Sequence, residues 1–422
     1  MSALAYGALL LFIFALPWEN AVNVIPGVAI VTKLTGGLAL AGAFGVVVTS
    51  ARMRRWHVLH LAGLLFLIWT GARFVTMPAG ERLPFKYYTF LQLFAVLLIV
   101  WEVAQTRSRQ LGLLTAYVFG GYVAATGTVM MYRTVGSTVK RFTAVESDPN
   151  NLAMTLALAL PMAWYLGMTY RSPVLRWACR LFIPVGLFAI GLTASRGGML
   201  AATVALMIVP LTMTKLSPGK LIAALVLLTT SGVVAATYIP EKAMERLATT
   251  GTEVEDLSLG GRFGIWKAGV RALTRSPITG YGIGSWRVAV SPWLGPDPQV
   301  AHNSFLSVAV ESGMVGLVLY LTMFMAVFLA LMRLPSFDRR FSLVLLAALV
   351  TAMMPLSWEN QKSVWFILAA LLGLAHSVSP VARPQTRPVS APRPVPVVRP
   401  MGARTGRGAL GSSVNLDTDR MR

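Results

Sequence analysis

The chain has 422 residues, 55% of them hydrophobic and only 13% charged, with a formal net charge of +21. A soluble domain carries about 25% charged residues; long apolar runs recurring from end to end instead make this a polytopic membrane protein, and an α-helical one, since a barrel shows short alternating strands. A single cysteine, Cys179, excludes an intramolecular disulfide.

Helices are expected at 3–16, 24–49, 57–75, 87–104, 111–129, 151–169, 178–194, 197–213, 220–238, 303–332, 341–356 and 363–378. The first run has no basic stretch ahead of it and no small-residue cleavage site before Pro17, so it reads as a retained helix and not a signal peptide. The loop 130–150 ends in ESDPNN, and the seventh and eighth helices are joined by a very short turn, TASRGG (193–198). A long segment, 239–302, separates the ninth and tenth helices. It holds an acidic patch, EVED (253–256), and amphipathic stretches at 241–249 and 262–275. A loop of that length in a compact membrane protein is usually functional. LPWEN (16–20) and LSWEN (356–360) look alike, and the plain reading is coincidence or an interfacial tryptophan anchor.

Twelve spans put both termini on one side. That side carries 21 basic residues against Asp338, Asp417 and Asp419, which places it in the cytoplasm. The organisation expected is therefore a transmembrane domain over 1–378, a large loop within it at 239–302, and a cytoplasmic Pro/Arg-rich tail at 379–422 with no apolar period and no fixed fold.

The polar residues of interest fall on the opposite face. His302 opens the tenth helix; with Asn303 it reads either as a cap at the interface or as a general base for a hydroxyl nucleophile. Arg196 lies in the SRGG turn and reads either as a snorkelling cation or as an anion site at a helix N-terminus. Arg262 opens GRFGIWKAGVRAL, an ordinary amphipathic helix when taken alone. Glu311 is nine residues beyond His302, about 180° round the helix and roughly 13 Å deeper, so the two do not form an acid/base pair. It has either a structural or a functional partner. Gly313 and Gly316 favour close helix packing. Together Arg196, Arg262 and His302, with Arg133, Lys140, Arg141, Lys267, Arg271 and Arg275, suit an anionic, membrane-embedded substrate such as a lipid-linked diphosphate. There is no metal-ligand spacing, P-loop or dinucleotide fingerprint, so no metal or cofactor is expected.

SDPNNLAMTLALALP (147–161), TASRGGMLA (193–201), GRFGIWKAG…SPITGYGIGSW (261–286) and HNSFLSVAVESGMVGLVLY (302–320) resemble the O-antigen ligase and polymerase superfamily of bacterial polytopic glycosyltransferases. The resemblance implies a GT-C-like fold of about twelve membrane helices with one large periplasmic loop, seated in the bacterial inner membrane. It implies a donor glycan on undecaprenyl diphosphate and a metal-independent, inverting transfer to an acceptor hydroxyl at the periplasmic face. The acceptor is lipid A core for a ligase and another lipid-linked repeat unit for a polymerase. The family's functional arginines map to Arg196 and Arg262, and its loop-end histidine to His302. Arg287, Asp148, Asn150, Asn151 and Glu311 are lesser candidates. A transporter of lipid-linked sugars is the reading from a different class; it calls for midplane charges in matched halves.

Overall fold

The computed structural model describes residues 2–19, 28–50, 53–76, 84–136, 141–143, 148–213, 219, 222 and 261–378, and every regular element among them is helical. In chain order these are α1 (Ser2–Ala15) with a 3-10 turn (Leu16–Trp18), α2 (Val28–Ser50), α3 (Val58–Thr76), α4 (Pro84–Val103), α5 (Arg107–Val135), α6 (Pro149–Thr169), α7 (Pro173–Leu192), α8 (Arg196–Leu206), α9 (Ile208–Thr212), α10 (Arg262–Arg275), α11 (Trp286–Leu294), α12 (Ser304–Leu331), α13 (Ser336–Met353) and α14 (Lys362–Val378). Eleven of the twelve expected segments overlap described helices, residues 24–27 of the second lying outside the described residues. The expected helix at 220–238 (save Ile222), the stretches 241–249 and 253–256, and the tail from 379 lie outside the described residues.

Six of the described helices are each long and apolar enough to cross a membrane: Val58–Val75, Phe85–Val103, Arg107–Val135, Pro149–Thr169, Pro173–Leu192 and Ser304–Leu331. Ser2–Trp18, Lys33–Thr49, Arg196–Thr212 and Lys362–Ser377 are shorter and also apolar. Among its described residues this is an all-helical, polytopic membrane protein. α14 sits at its centre, buried without a break from Ser363 to Ala375, which explains why that stretch is apolar all round instead of on one stripe. Helices on the outside keep exposed Leu4, Phe44, Phe85 and Val174, the side chains expected where lipid is the solvent. Close helix contacts fall at small residues. A Cβ on Gly120 would lie 2.1 Å from the Phe14 carbonyl oxygen, so α5 can meet α1 only with glycine there.

Ion pairs mark the two ends of the bundle. At one end Arg107 on α5 makes a two-pronged bond to Asp338 on α13, at 2.9 and 3.1 Å, and Tyr165 on α6 joins it. At the other end Lys86 on α4 meets Glu311 on α12 and Glu359 before α14.

Two helices expected to be continuous are not. The segment 197–213 divides at Met207 into α8 and α9. More consequentially, α12 breaks inside its apolar run at Gly313 (φ 68°, ψ −174°). A break at membrane depth frees backbone groups that no water can satisfy. Here the chain between α10 and α11 satisfies them. The amides of Tyr281 and Gly282 donate to the carbonyls of Val310 and Glu311 at 3.0 and 2.7 Å, and Met314 N–H donates to Pro277 at 2.7 Å. The Trp69 indole takes the Ser312 carbonyl at 2.8 Å. The motif SPITGYGIGSW is therefore a strap laid against a broken helix. Its three glycines, Gly280, Gly282 and Gly284, all have positive φ. A Cβ on Gly313 would lie 2.1 Å from the Ile278 oxygen, in backbone space open essentially to glycine alone. Gly313→Ala is expected to cost about 3 kcal/mol or more, read as a fall in thermal midpoint in detergent; a wild-type midpoint would show that the strap does not hold the break.

The described part of the long 239–302 segment is a folded cap. α10 buries Ile265, Ala268 and Ala272 at helical spacing and leaves Lys267 and Arg271 exposed. That face packs on Trp286, Ala289 and Val290 of α11 and on Ala301 and Val310. The Trp266 indole donates to the Ala301 carbonyl at 3.1 Å, and the Trp286 indole to Gln299 at 2.9 Å. The cap thereby fixes the backbone just before residue 302.

Candidate functional site

The site is built from helix starts. Asp148 caps α6, its carboxylate accepting the N–H groups of Asn150 and Asn151 at 2.9 Å. Ser195 caps α8, accepting Gly198 N–H at 3.2 Å. Asn303 caps α12, accepting Leu306 N–H at 3.0 Å. α10 starts at Arg262 after Gly261, which has φ 82°. Each start leaves further N–H groups and the positive end of a helix dipole facing outward.

Side-chain bonds gather these starts at one end of the bundle. The Ser195 hydroxyl donates to Asn150 Oδ1 at 2.9 Å, and Arg141 donates to the same oxygen at 2.7 Å. Arg141 also reaches the Thr193 carbonyl at 3.0 Å, and Phe142 N–H bonds Leu192, so residues 141–142 strap the α7–α8 turn to the start of α6. The Trp358 indole donates to Asn151 Oδ1 at 2.7 Å, while Trp358 N–H donates to the Ser304 hydroxyl at 2.8 Å. That hydroxyl in turn donates to the Leu356 carbonyl at 2.8 Å. α6, α8 and α12 therefore share one frame. The glycine after Arg196 is part of it: a Cβ on Gly197 would lie 2.7 Å from Met154 Cε and 3.1 Å from Pro355 Cγ.

Among the described residues only two non-glycines have positive φ, Ala194 and His302, both at 47°. One lies two residues before Arg196, and the other is the candidate histidine. Such conformations cost roughly 1–3 kcal/mol and persist where the surroundings over-determine them. At His302 the surroundings are explicit: Ala301 is pinned by Trp266 and Asn303 is committed to capping α12. The cap reading of the sequence therefore belongs to Asn303, and His302 is turned out of the helical path.

His302 is half-buried, and its Nδ1 is buried without a hydrogen-bond partner among the described residues. Burial lowers its pKa from the ordinary value. The charge of Arg262 lowers it further, and that of Asp148 works the other way. Arg262 and Asp148 thus both lie within electrostatic reach of His302, and the α8 start that holds Arg196 is bonded to the Asp148 helix. This arrangement offers one imidazole, biased to its neutral form, and two guanidinium groups. It suits proton acceptance beside an anion.

The other candidates fall in different places. Asn150 and Asn151 serve the frame through Arg141, Ser195 and Trp358. Arg287 is exposed on α11. Glu311 is committed to another partner, and because His302 leaves the helical path the angle expected from helical spacing does not describe the two. Lys86 bridges Glu311 and Glu359 at 2.8 and 2.9 Å, with all three side chains at most 13% exposed. The Ser307 hydroxyl donates to Glu359 at 2.8 Å.

Lys86, Glu359, Trp358 and Ser304 were missed by sequence reasoning, and the signal that pointed to two of them was the recurring WEN. Neither copy is a simple interfacial anchor. Glu359 belongs to the Lys86 network and Trp358 to the site frame, while Glu19 pairs with Lys362 at the start of α14. Among the described residues no group of His, Cys, Asp and Glu has metal-binding geometry.

Residues 181–321 match the family described as O-antigen ligase. The match runs from within α7 into α12 and takes in Arg196, Arg262 and His302. No curated protein matches the chain.

Proposed function

We propose, from a central segment that matches the O-antigen ligase family, that the chain transfers a glycan from undecaprenyl diphosphate to an acceptor hydroxyl at the periplasmic face of a bacterial inner membrane. The family supports a glycan-transferring membrane enzyme of ligase or polymerase type; the ligase, with lipid A core as acceptor, is the form proposed here. One observation carries the reading: His302, held in a strained backbone and biased to its neutral form, lies within charge range of Arg262.

The chemistry follows from those groups. The acceptor oxygen attacks the anomeric carbon from the face opposite the diphosphate. The new C–O bond forms as the bond to the diphosphate oxygen breaks, inverting the centre. His302 takes the hydroxyl proton. Arg196 and Arg262, with the helix N-termini beside them, hold the diphosphate and stabilise the charge it gains on leaving. Residues 261–302 cover the site, and both termini lie in the cytoplasm. No metal or nucleotide enters any step.

The test uses purified protein in liposomes with the lipid-linked donor of its source cell, first alone and then with lipid A core, the products resolved by gel. Transfer only with lipid A core is expected. Lengthening of the donor by itself overturns the ligase form in favour of a polymerase. In the same assay Arg196→Ala is expected to raise the donor KM roughly 10- to 100-fold, the loss of a charge-assisted bond to phosphate. An unchanged KM removes Arg196 from the diphosphate site.

A further inference from the structure

A polar cavity of about 160 Å³ opens between the 3-10 turn after α1, the start of α6 and the segment leading into α14. Its wall includes Glu19, Asp148, Asn151, Asn360, Gln361 and Lys362, with Trp358 beside them. Neither the family's mapped residues nor the transfer chemistry above uses it.

We infer that this cavity is a saccharide subsite that seats one sugar ring next to His302. The inference rests on the proposed transferase reading and deepens it. Size is the first argument: a cavity of about 150 Å³ accommodates benzene, so this one has room for a single ring and not for a longer glycan. Chemistry is the second. Two carboxylates against one ammonium make the lining net negative, which disfavours a phosphate, and its polar character disfavours an acyl chain. Carboxylates accept, the Lys362 ammonium donates, and the amides of Asn360 and Gln361 do both. That mixture matches hydroxyl groups, each of which is donor and acceptor at once. Glu19 and Lys362 pair with each other yet remain about a quarter exposed, so each keeps capacity for a further bond.

Position is the third argument. Asp148 lines the cavity and lies within charge range of His302. Asn151 and Trp358 line it too, and Trp358 is bonded to Ser304, two residues from His302. A ring held there lies beside the proton acceptor. The ring belongs either to the acceptor or to the donor glycan.

Two arms separate these sources. Saturation-transfer NMR on the detergent-solubilised full chain uses the lipid-free core oligosaccharide in one arm and the lipid-free repeat-unit oligosaccharide in the other. Gln361→Trp fills the cavity, and Asn360→Ala removes one amide as the milder change. We expect signal from one saccharide, abolished by Gln361→Trp and weakened by Asn360→Ala. The KM of the matching lipid-bearing substrate is expected to rise roughly tenfold with kcat little changed, the pattern of lost uniform binding. Signal from the core oligosaccharide assigns the ring to the acceptor, and signal from the repeat unit assigns it to the donor. Normal transfer with no saccharide signal, or with a signal that neither variant alters, overturns the subsite alone. Saccharide binding that both variants weaken, in a protein that transfers nothing, overturns the transferase reading and keeps the subsite.

Discussion

His302→Ala is expected to abolish glycan transfer, with a fall in kcat of about 10²- to 10⁴-fold, the range a positioned general base supplies. Donor binding is expected to survive, because the arginines remain. The pH profile gives a second readout that a merely structural histidine does not. Burial and the Arg262 charge lower the His302 pKa below its usual value, so the neutral, proton-accepting form dominates at neutral pH. The acid limb of kcat/KM then lies below the ordinary histidine range. Arg262→Gln removes a positive neighbour, which makes protonation easier and moves that limb up. Asp148→Asn removes a negative neighbour and moves it down. A His302→Ala enzyme that transfers at the wild-type rate ends the base assignment, and an acid limb indifferent to both neighbours shows that His302 does not set it.

Lys86→Met is expected to be the most destabilising single change, at about 3–5 kcal/mol. It strips the ammonium that pairs with two buried carboxylates, Glu311 and Glu359, on different elements. The loss reaches further than one bond. Glu311 lies two residues before the break at Gly313, and its carboxylate also faces Trp286 N–H at 3.4 Å, where the strap enters α11. The check is thermal unfolding in detergent of Lys86→Met beside Lys86→Met/Glu311→Gln/Glu359→Gln. Neutralising the carboxylates removes the uncompensated charge, so the triple variant is expected to recover most of the lost midpoint. Equal melting of Lys86→Met and wild type would falsify the clamp.

The polar cavity lined by Asp148 and Trp358 and the Lys86 clamp use the same short segment, 356–363. Trp358 ties it to α6, Glu359 to α4 and α12, and Lys362 to the turn after α1. A substitution here is therefore read through both stability and transfer.

The sequence by itself determined the helical membrane character, because a run of about twenty apolar residues has one stable form where no water can satisfy its backbone. Arg196, Arg262 and His302 were legible as a set because basic groups collected on one face and motif resemblance singled out these three. Tertiary structure decided the rest. The break at Gly313 was not legible because a glycine inside a long apolar run reads equally well as a close helix contact, and the carbonyls it frees find partners about 30 residues earlier in the chain. Lys86 was invisible because one lysine near a helix start looks interfacial until two carboxylates, 225 and 273 residues away in sequence, are brought to it. Local spacing reveals faces and lengths. Burial of a charge, or of a broken backbone, depends on which distant segment arrives to pair with it, and only the packed chain sets that.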